Sequence, residues 1–114
     1  QMCIRDRLGH AQIVINLIDF GMNLQEAGDA PRFRHVGSSQ PTGEKMTDGG
    51  YIIFENGFDL NEIAKIKKIG HKVVNKNEDN YMKGAFGGYQ AIMKKDGVLY
   101  GASESRKDGH ASGY

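Results

Sequence analysis

Four histidines are the side chains of this 114-residue sequence best suited to bind a metal ion or to transfer a proton. His10, His35, His71 and His110 lie 25, 36 and 39 residues apart, so no two of them lie at helical spacing. Metal sites usually draw two ligands from one short motif, and this spacing predicts surface or partly buried histidines and no metal site. Cys3 is the only cysteine, which excludes an internal disulfide and a cysteine-based zinc site.

Two loop motifs offer little chemistry of their own. The segment from Gly84 to Gly88 is glycine-rich, but it lacks the lysine and the following helix of a phosphate-binding loop. We therefore predict a turn that leads into a strand. Ser38 and Ser39 carry hydroxyls that a ligand could use, but serine in a glycine-containing loop is usually part of a turn.

Charged residues beside apolar ones are more informative. Asp19 lies within the predicted apolar helix, where an unpaired buried carboxylate would be very costly. We therefore expect it at the helix end, or bonded to a backbone N–H or an arginine. Arg32 and Arg34 flank Phe33, and we favour a salt bridge between elements over the binding of a carboxylate ligand.

Composition excludes several classes of function. The 15 basic and 14 acidic side chains leave a net charge of +1, which provides no field for a nucleic acid partner. No apolar run approaches the ~20 residues that cross a bilayer, and no secretory signal is visible. The 16 glycines are about twice the usual share and indicate a fold with many tight turns.

The first half of the chain must position these residues on two helices and a strand. Apolar residues from Ala11 to Phe20 predict a helix that is buried on most sides and ends at Gly21. Asn23 and Glu26 have the spacing of a capping box for a short second helix. An extended segment should follow from Arg32 to His35, and then a long polar loop over 36–50 that wraps a surface or docks on something missing.

The second half alternates strands with one more helix. We predict a strand at Tyr51–Phe54, a helix that Asp59 caps and that runs to Ile69, and a strand at His71–Val74. Asp96-Gly97 is a strong hairpin signal between strands over 89–93 and 98–100. Helices early and strands late favour an α+β fold.

Residues 1–7 do not read like the rest of the chain. They hold the lone cysteine and show no periodicity, and they resemble a translated sequencing-adaptor remnant. We expect them to be a non-native leader that packs against nothing, with regular structure beginning near Ala11 and the native domain at residues 8–114.

Several blocks of sequence occur together in one known family. The early blocks run from Asn16 to Ala27 and from Asp29 to Phe33. Later matches are Gly70–Val73, Gly88–Ile92 and Leu99–Ser103, with Arg106, Asp108-Gly109 and Gly113-Tyr114. In this order the blocks resemble the γ-glutamyltransferase (glutathione hydrolase) family, in the C-terminal part of its small subunit.

The resemblance implies part of an N-terminal-nucleophile hydrolase, a four-layer αββα sandwich. Such a precursor cleaves itself into large and small subunits, and the new N-terminal Thr attacks the γ-glutamyl carbonyl of glutathione or a related amide. Water or an amino acid or peptide acceptor then resolves the γ-glutamyl ester. The implied partners are the large subunit and the small γ-glutamyl substrate, with no cofactor and a periplasmic or extracellular location.

No catalytic residue carries over to this sequence. The family's Thr, its substrate-gripping residues and its Ser-Ser pair lie upstream of the matched blocks, and Ser38-Ser39 is not that pair. In the family a Gly-Gly pair supplies backbone N–H donors to the oxyanion, and Leu8-Gly9 lies near the position where that motif would end. Gly9 is therefore the one candidate for substrate binding, although the sequence does not fix its alignment with the motif. We therefore expect the chain to be a fragment that is inactive alone. Two alternatives stay open: a non-catalytic interaction module, and a sister amide acylase of the same fold.

Overall fold

The structure is a computed structural model that describes residues 4–37, 45–74, 86–110 and 112, with side chains from Leu8 onward. In chain order its elements are α1 (Ile4–Ile18), α2 (Leu24–Asp29), β1 (Phe33–Val36), β2 (Tyr51–Phe54), α3 (Leu60–Lys68), β3 (Gln90–Lys95) and β4 (Val98–Ser103). The chain divides into two compact units. Unit 1 joins Gln1–Ala30 to Lys83–Tyr114, and unit 2 is Pro31–Met82.

Unit 1 packs α1 and α2 against the β3–β4 hairpin. Its core cluster consists of the buried residues Leu24, Tyr89 and Ala102, and Ile13 and Leu17 of α1 pack against it. Asn16 of α1 also donates a side-chain hydrogen bond of 3.2 Å to the Ala27 carbonyl of α2. One face of α1 is thereby fixed to the rest of the unit.

The prediction that α1 is buried on most sides is wrong for this chain. Ile18 and Phe20 are 74% and 68% exposed, and Val14 and Ile15 are also exposed. Among the described residues, the cluster on α2 and the hairpin covers only the face that carries Ile13 and Leu17. An all-round apolar pattern therefore does not require all-round burial within one chain.

The start of α1 also differs from the prediction. Regular structure begins at Ile4 and not near Ala11. No proline lies between Ile4 and Ala11, and the single Gly9 costs a helix only about 1 kcal/mol. Whether residues 1–7 pack against the core stays a prediction, because their side chains lie outside the described ones.

Local signals at α2 and at the hairpin are confirmed. The Asn23 side chain accepts from the Glu26 N–H at 2.9 Å, and the Glu26 carboxylate accepts from the Asn23 N–H at 2.9 Å, which completes the capping box. Asp96 and Gly97 have φ values of 52° and 81° and form the turn of the antiparallel β3–β4 pair. Two successive positive φ values are typical of the type I′ hairpin turn.

Unit 2 combines the antiparallel β1–β2 pair with α3. Among the described residues of this unit, the buried apolar side chains are Ile53 of β2 and Ile63 of α3. Ring contacts of Phe54 with Phe33 and Phe58, at centroid distances of 6.0 and 4.8 Å, add to this packing.

Both ends of α3 follow the sequence signals. The Asp59 carboxylate accepts from the Asn61 N–H at 2.8 Å, so the predicted cap is confirmed. At the other end Gly70 has a φ of 104°, and the N–H groups of Gly70 and His71 donate to the carbonyls of Lys67 and Ile66. This pair of bonds is a Schellman motif, in which glycine avoids the steric cost of a positive φ.

The strand predicted at His71–Val74 is reduced to one parallel bridge between Val73 and Ile52. The Ile52 N–H donates to the Lys72 carbonyl, and the Val74 N–H donates to the Ile52 carbonyl. The segment is thus extended along β2 for a single step only. The predicted docking of the loop over 36–50 falls largely on residues 38–44, outside the described ones.

Candidate functional site

A polar network surrounds the C-terminal end of α2 in unit 1. Arg106 donates hydrogen bonds to three successive backbone carbonyls: those of Gly28 at 3.1 Å, of Asp29, and of Ala30 at 3.1 Å. The last carbonyls of a helix have no partner within the helix, and they form the negative end of its dipole. The forked guanidinium of Arg106 satisfies these carbonyls and complements that end.

Asp29 forms the second part of this network. Its Oδ1 accepts hydrogen bonds from the backbone N–H of Ser105 at 3.2 Å and from the Ser105 hydroxyl at 2.8 Å. Its Oδ2 accepts from the Gln25 amide at 2.8 Å. The bonds from Gln25 and Ser105 hold the pKa of the Asp29 carboxyl below its ordinary value, with a smaller contribution from the charge of Arg106.

Glu104 and Tyr89 connect the same network to the core. Glu104 is 2% exposed, and its carboxylate accepts from the Tyr89 N–H at 2.9 Å and from Arg106 at 3.3 Å. The Tyr89 hydroxyl donates to the Leu24 carbonyl at 2.9 Å. Burial raises the pKa of Tyr89, and the negative charge of Asp29 adds to the shift. The network therefore holds β3 and β4 to both ends of α2.

The hydrogen bonds of this network hold structural elements together and do not form a catalytic arrangement. The Ser105 hydroxyl points at a carboxylate, but a carboxylate whose pKa is lowered is a poor base for activating a hydroxyl nucleophile. The N–H groups of Ser105 and Tyr89 are already bonded to carboxylates, which leaves neither to stabilise an oxyanion. We infer a positional role for these residues.

Unit 2 holds a buried ion pair and a small cleft. Arg32 forms two side-chain hydrogen bonds with Glu55, at 3.0 and 2.8 Å, and the two side chains are 7% and 14% exposed. The preference for a salt bridge at Arg32 is thus confirmed. Arg34 lies in β1 opposite Ile53, half-buried.

The cleft has a volume of about 130 Å³ and a mostly polar lining. Its ionisable residues are His35, Asp48, Tyr51, His71 and Lys72. Asp48 accepts from the Gly50 N–H at 3.1 Å and pairs with Lys72 at 3.1 Å, and these contacts lower its pKa. The ring of His35 is hydrogen-bonded to the Gly49 carbonyl at 2.8 Å.

Of the four histidines, only His35 and His71 line a common cleft, while His10 and His110 are exposed in unit 1. Within ranges 4–37, 45–74, 86–110 and 112, no three histidine, cysteine, aspartate or glutamate side chains converge as a metal site would require. In the same ranges no helix is long and apolar enough to span a bilayer.

The other predicted residues do not gather at a site. Gly9 lies inside α1, where its N–H is part of the helical hydrogen-bond ladder, and its role in substrate binding stays a prediction. Asp19 is exposed and lies directly after the last residue of α1, so the expectation that it lies at a helix end is confirmed. Ser38, Ser39 and the Gly84–Ala85 half of the glycine-rich segment lie outside the described residues.

Comparison with known proteins assigns the chain to a family. A family model described as Gamma-glutamyltranspeptidase matches residues 5–114, almost the whole chain. The chain belongs to the gamma-glutamyltranspeptidase family. The resemblance seen in the sequence blocks is thereby confirmed. Because the match begins at residue 5, the boundary that we expected between residues 7 and 8 stays a prediction.

The chain is similar both to a glutathione hydrolase and to a cephalosporin acylase. The chain is 36% identical over 105 residues to the glutathione hydrolase proenzyme of Escherichia coli (strain K12), and the alignment covers 90% of the chain and 15% of that relative. Its structure resembles the cephalosporin acylase of Bacillus halodurans with a TM-score of 0.69 and 33% identity, over 93% of this chain and 18% of that one.

The fold extends to more distant members. A highly active mutant of the gamma-glutamyltranspeptidase from Pseudomonas nitroreducens matches with a TM-score of 0.67 and 19% identity, over 93% of this chain and 48% of that one. The predicted α+β fold, part of an N-terminal-nucleophile hydrolase, is thus confirmed. The chain spans about half or less of the proteins it matches.

The Asp29–Ser105–Arg106 network was missed by sequence reasoning. Asp29 and Arg106 lie 77 residues apart and carry no local pattern that pairs them. The one available signal was that both belong to blocks typical of the family.

Proposed function

We propose that the chain is the C-terminal part of the small subunit of an enzyme that transfers the γ-glutamyl group of glutathione or a related amide. The acceptor is water, an amino acid or a peptide. The family match over residues 5–114 carries this proposal, and the identity of 36% to a glutathione hydrolase proenzyme supports it.

In the proposed reaction, an N-terminal Thr released by self-cleavage of the precursor attacks the γ-glutamyl carbonyl. Its own α-amine accepts the hydroxyl proton, a γ-glutamyl ester forms and the amine of the donor leaves. The ester then transfers the γ-glutamyl group to the acceptor and regenerates the Thr hydroxyl. The Thr and the groups that grip the substrate belong to sequence outside these 114 residues, with Gly9 as the one candidate contact from this chain. The large subunit of the same precursor is the protein partner.

In this proposal the residues of the present chain act as scaffold. Arg106, Asp29 and Glu104 hold the hairpin on α2, and Arg32 with Glu55 fixes the end of β2. The elements that these contacts fix would support the catalytic elements contributed by the rest of the enzyme.

A sister amide acylase is the second candidate. Identity to the cephalosporin acylase is 33%, close to the 36% for the glutathione hydrolase, and its TM-score is 0.69. Identities this similar do not separate γ-glutamyl donors from other amides, because donor choice depends on residues of the substrate pocket.

The decisive experiment is to recover the contiguous upstream reading frame and to express the whole precursor. We expect self-cleavage at a Thr, followed by release of nitroaniline from γ-glutamyl-p-nitroanilide. Cleavage of a cephalosporin side-chain amide in its place would identify an acylase. Replacing the new N-terminal Thr with Ala is the control and should abolish both. An upstream frame without such a Thr would contradict the γ-glutamyltransferase proposal and favour an interaction module.

A further inference from the structure

We draw no further inference here: the strongest candidate, the exposed apolar surface that α1 and the β3–β4 hairpin present in the described part of unit 1, restates the layered packing of helices and sheets expected for the family, and nothing else in the structure shows what covers it.

Discussion

Arg106 does for the C-terminal end of α2 what the Schellman motif at Gly70 does for α3. Helix α2 has only six residues, and a helix this short is not stable in water by itself. The capping box satisfies its first N–H groups, and the Arg106 guanidinium satisfies carbonyls at and just beyond its last turn. Both ends of α2 therefore depend on side chains, one local and one distant.

Replacing Arg106 with Ala should loosen α2. Hydrogen bonds to charged groups contribute about 1.5–3 kcal/mol, so we expect a loss of about 2 kcal/mol in the local free energy of opening. Amide hydrogen exchange of Ala27 and Ala30, followed by NMR, should become roughly 30-fold faster. Arg106→Lys should recover less than half of this loss, because one ammonium cannot reach three carbonyls.

Lys107→Ala is the matched control for Arg106→Ala. Lys107 is the next residue and is exposed. Its replacement should change the local free energy of opening, measured from the same exchange rates, by less than about 0.5 kcal/mol. Equal effects of the two substitutions would mean that the contacts of Arg106 do not stabilise α2.

Asp29 should make the stability of unit 1 depend on acidic pH. Its pKa in the folded state lies below its ordinary value of 3.8, so around that pH the native state binds fewer protons than the unfolded chain. The stabilisation is complete above the unfolded-state pKa and is lost as pH falls through the folded-state pKa. Asp29→Asn cannot titrate and should lack this dependence.

The measurement for Asp29 is a urea titration of both proteins at neutral pH and below pH about 4. The difference in unfolding midpoint between wild type and Asp29→Asn should be largest at neutral pH and should shrink in acid. Asp108→Asn, at an exposed carboxylate that follows Ser105 and Arg106 in the chain, is the control and should change the midpoint little at either pH. A constant difference for Asp29→Asn across pH would contradict the linkage.

Two helical glycines should respond to alanine in opposite directions. A Cβ built on Gly28 in α2 would lie 2.1 Å from the buried Tyr89 ring, whereas a Cβ on Gly9 in α1 would contact nothing within 4 Å. We expect Gly28→Ala to destabilise unit 1 by about 1–3 kcal/mol through overpacking. Gly9→Ala should stabilise α1 by up to about 1 kcal/mol, because alanine is the better helix former.

Thermal unfolding followed by far-UV circular dichroism tests this pair. The midpoint should fall for Gly28→Ala and rise for Gly9→Ala. A lower midpoint for Gly9→Ala would contradict the open surroundings of this position.

Sequence alone predicted the elements whose signals are local. Asn23 with Glu26, Asp59, and the turn at Asp96-Gly97 each depend on residues within a few positions, and each was found as expected. The extent of burial was not predictable in this way. The pattern of α1 shows that its side chains are apolar, but whether Ile18 is covered depends on the other elements present.

The contacts of the candidate network are equally beyond a local pattern. Ser105 binds Asp29 from 76 positions away, and no periodicity or capping rule relates the two residues. The start of α1 was misplaced for a different reason: the helix continues through Gly9, because a single glycine weakens a helix without ending it.

At the scale of the whole molecule, unit 1 exposes several large apolar side chains on α1 and on the hairpin. Ile18 and Phe20 are mostly exposed, as are Ile92 and Leu99 of the hairpin, at 67% and 66%. Large exposed apolar patches promote association. The isolated chain should therefore self-associate as its concentration rises.

Ile18→Glu should reduce this self-association and leave the fold intact. The side chain is 74% exposed, so a charge at this position meets water. Leu17→Glu is the contrasting variant, because Leu17 packs against the core cluster and a charge there should unfold unit 1. Sedimentation velocity over a tenfold concentration range, with circular dichroism of both variants, tests the prediction. Unchanged association of a folded Ile18→Glu variant would contradict it.

The isolated chain should not turn over a γ-glutamyl anilide. Acyl transfer requires a nucleophile, its base and oxyanion donors held together. The described residues do not bring these three together. The assay is the release of nitroaniline from γ-glutamyl-p-nitroanilide, with buffer alone as the reference. Saturable release above buffer that is retained after further purification would overturn the expectation.

The reach of Arg106 has a consequence for the order of events during synthesis. It binds carbonyls that were made 76 to 78 residues earlier, whereas unit 2 is contiguous and can fold as soon as its own residues emerge. On the ribosome, the contacts of α2 with the hairpin and with Arg106 can form only after these later residues have been made. A nascent chain that stalls before Arg106 would carry a finished unit 2 beside an unfinished unit 1, whose apolar side chains are a substrate for chaperones and proteases.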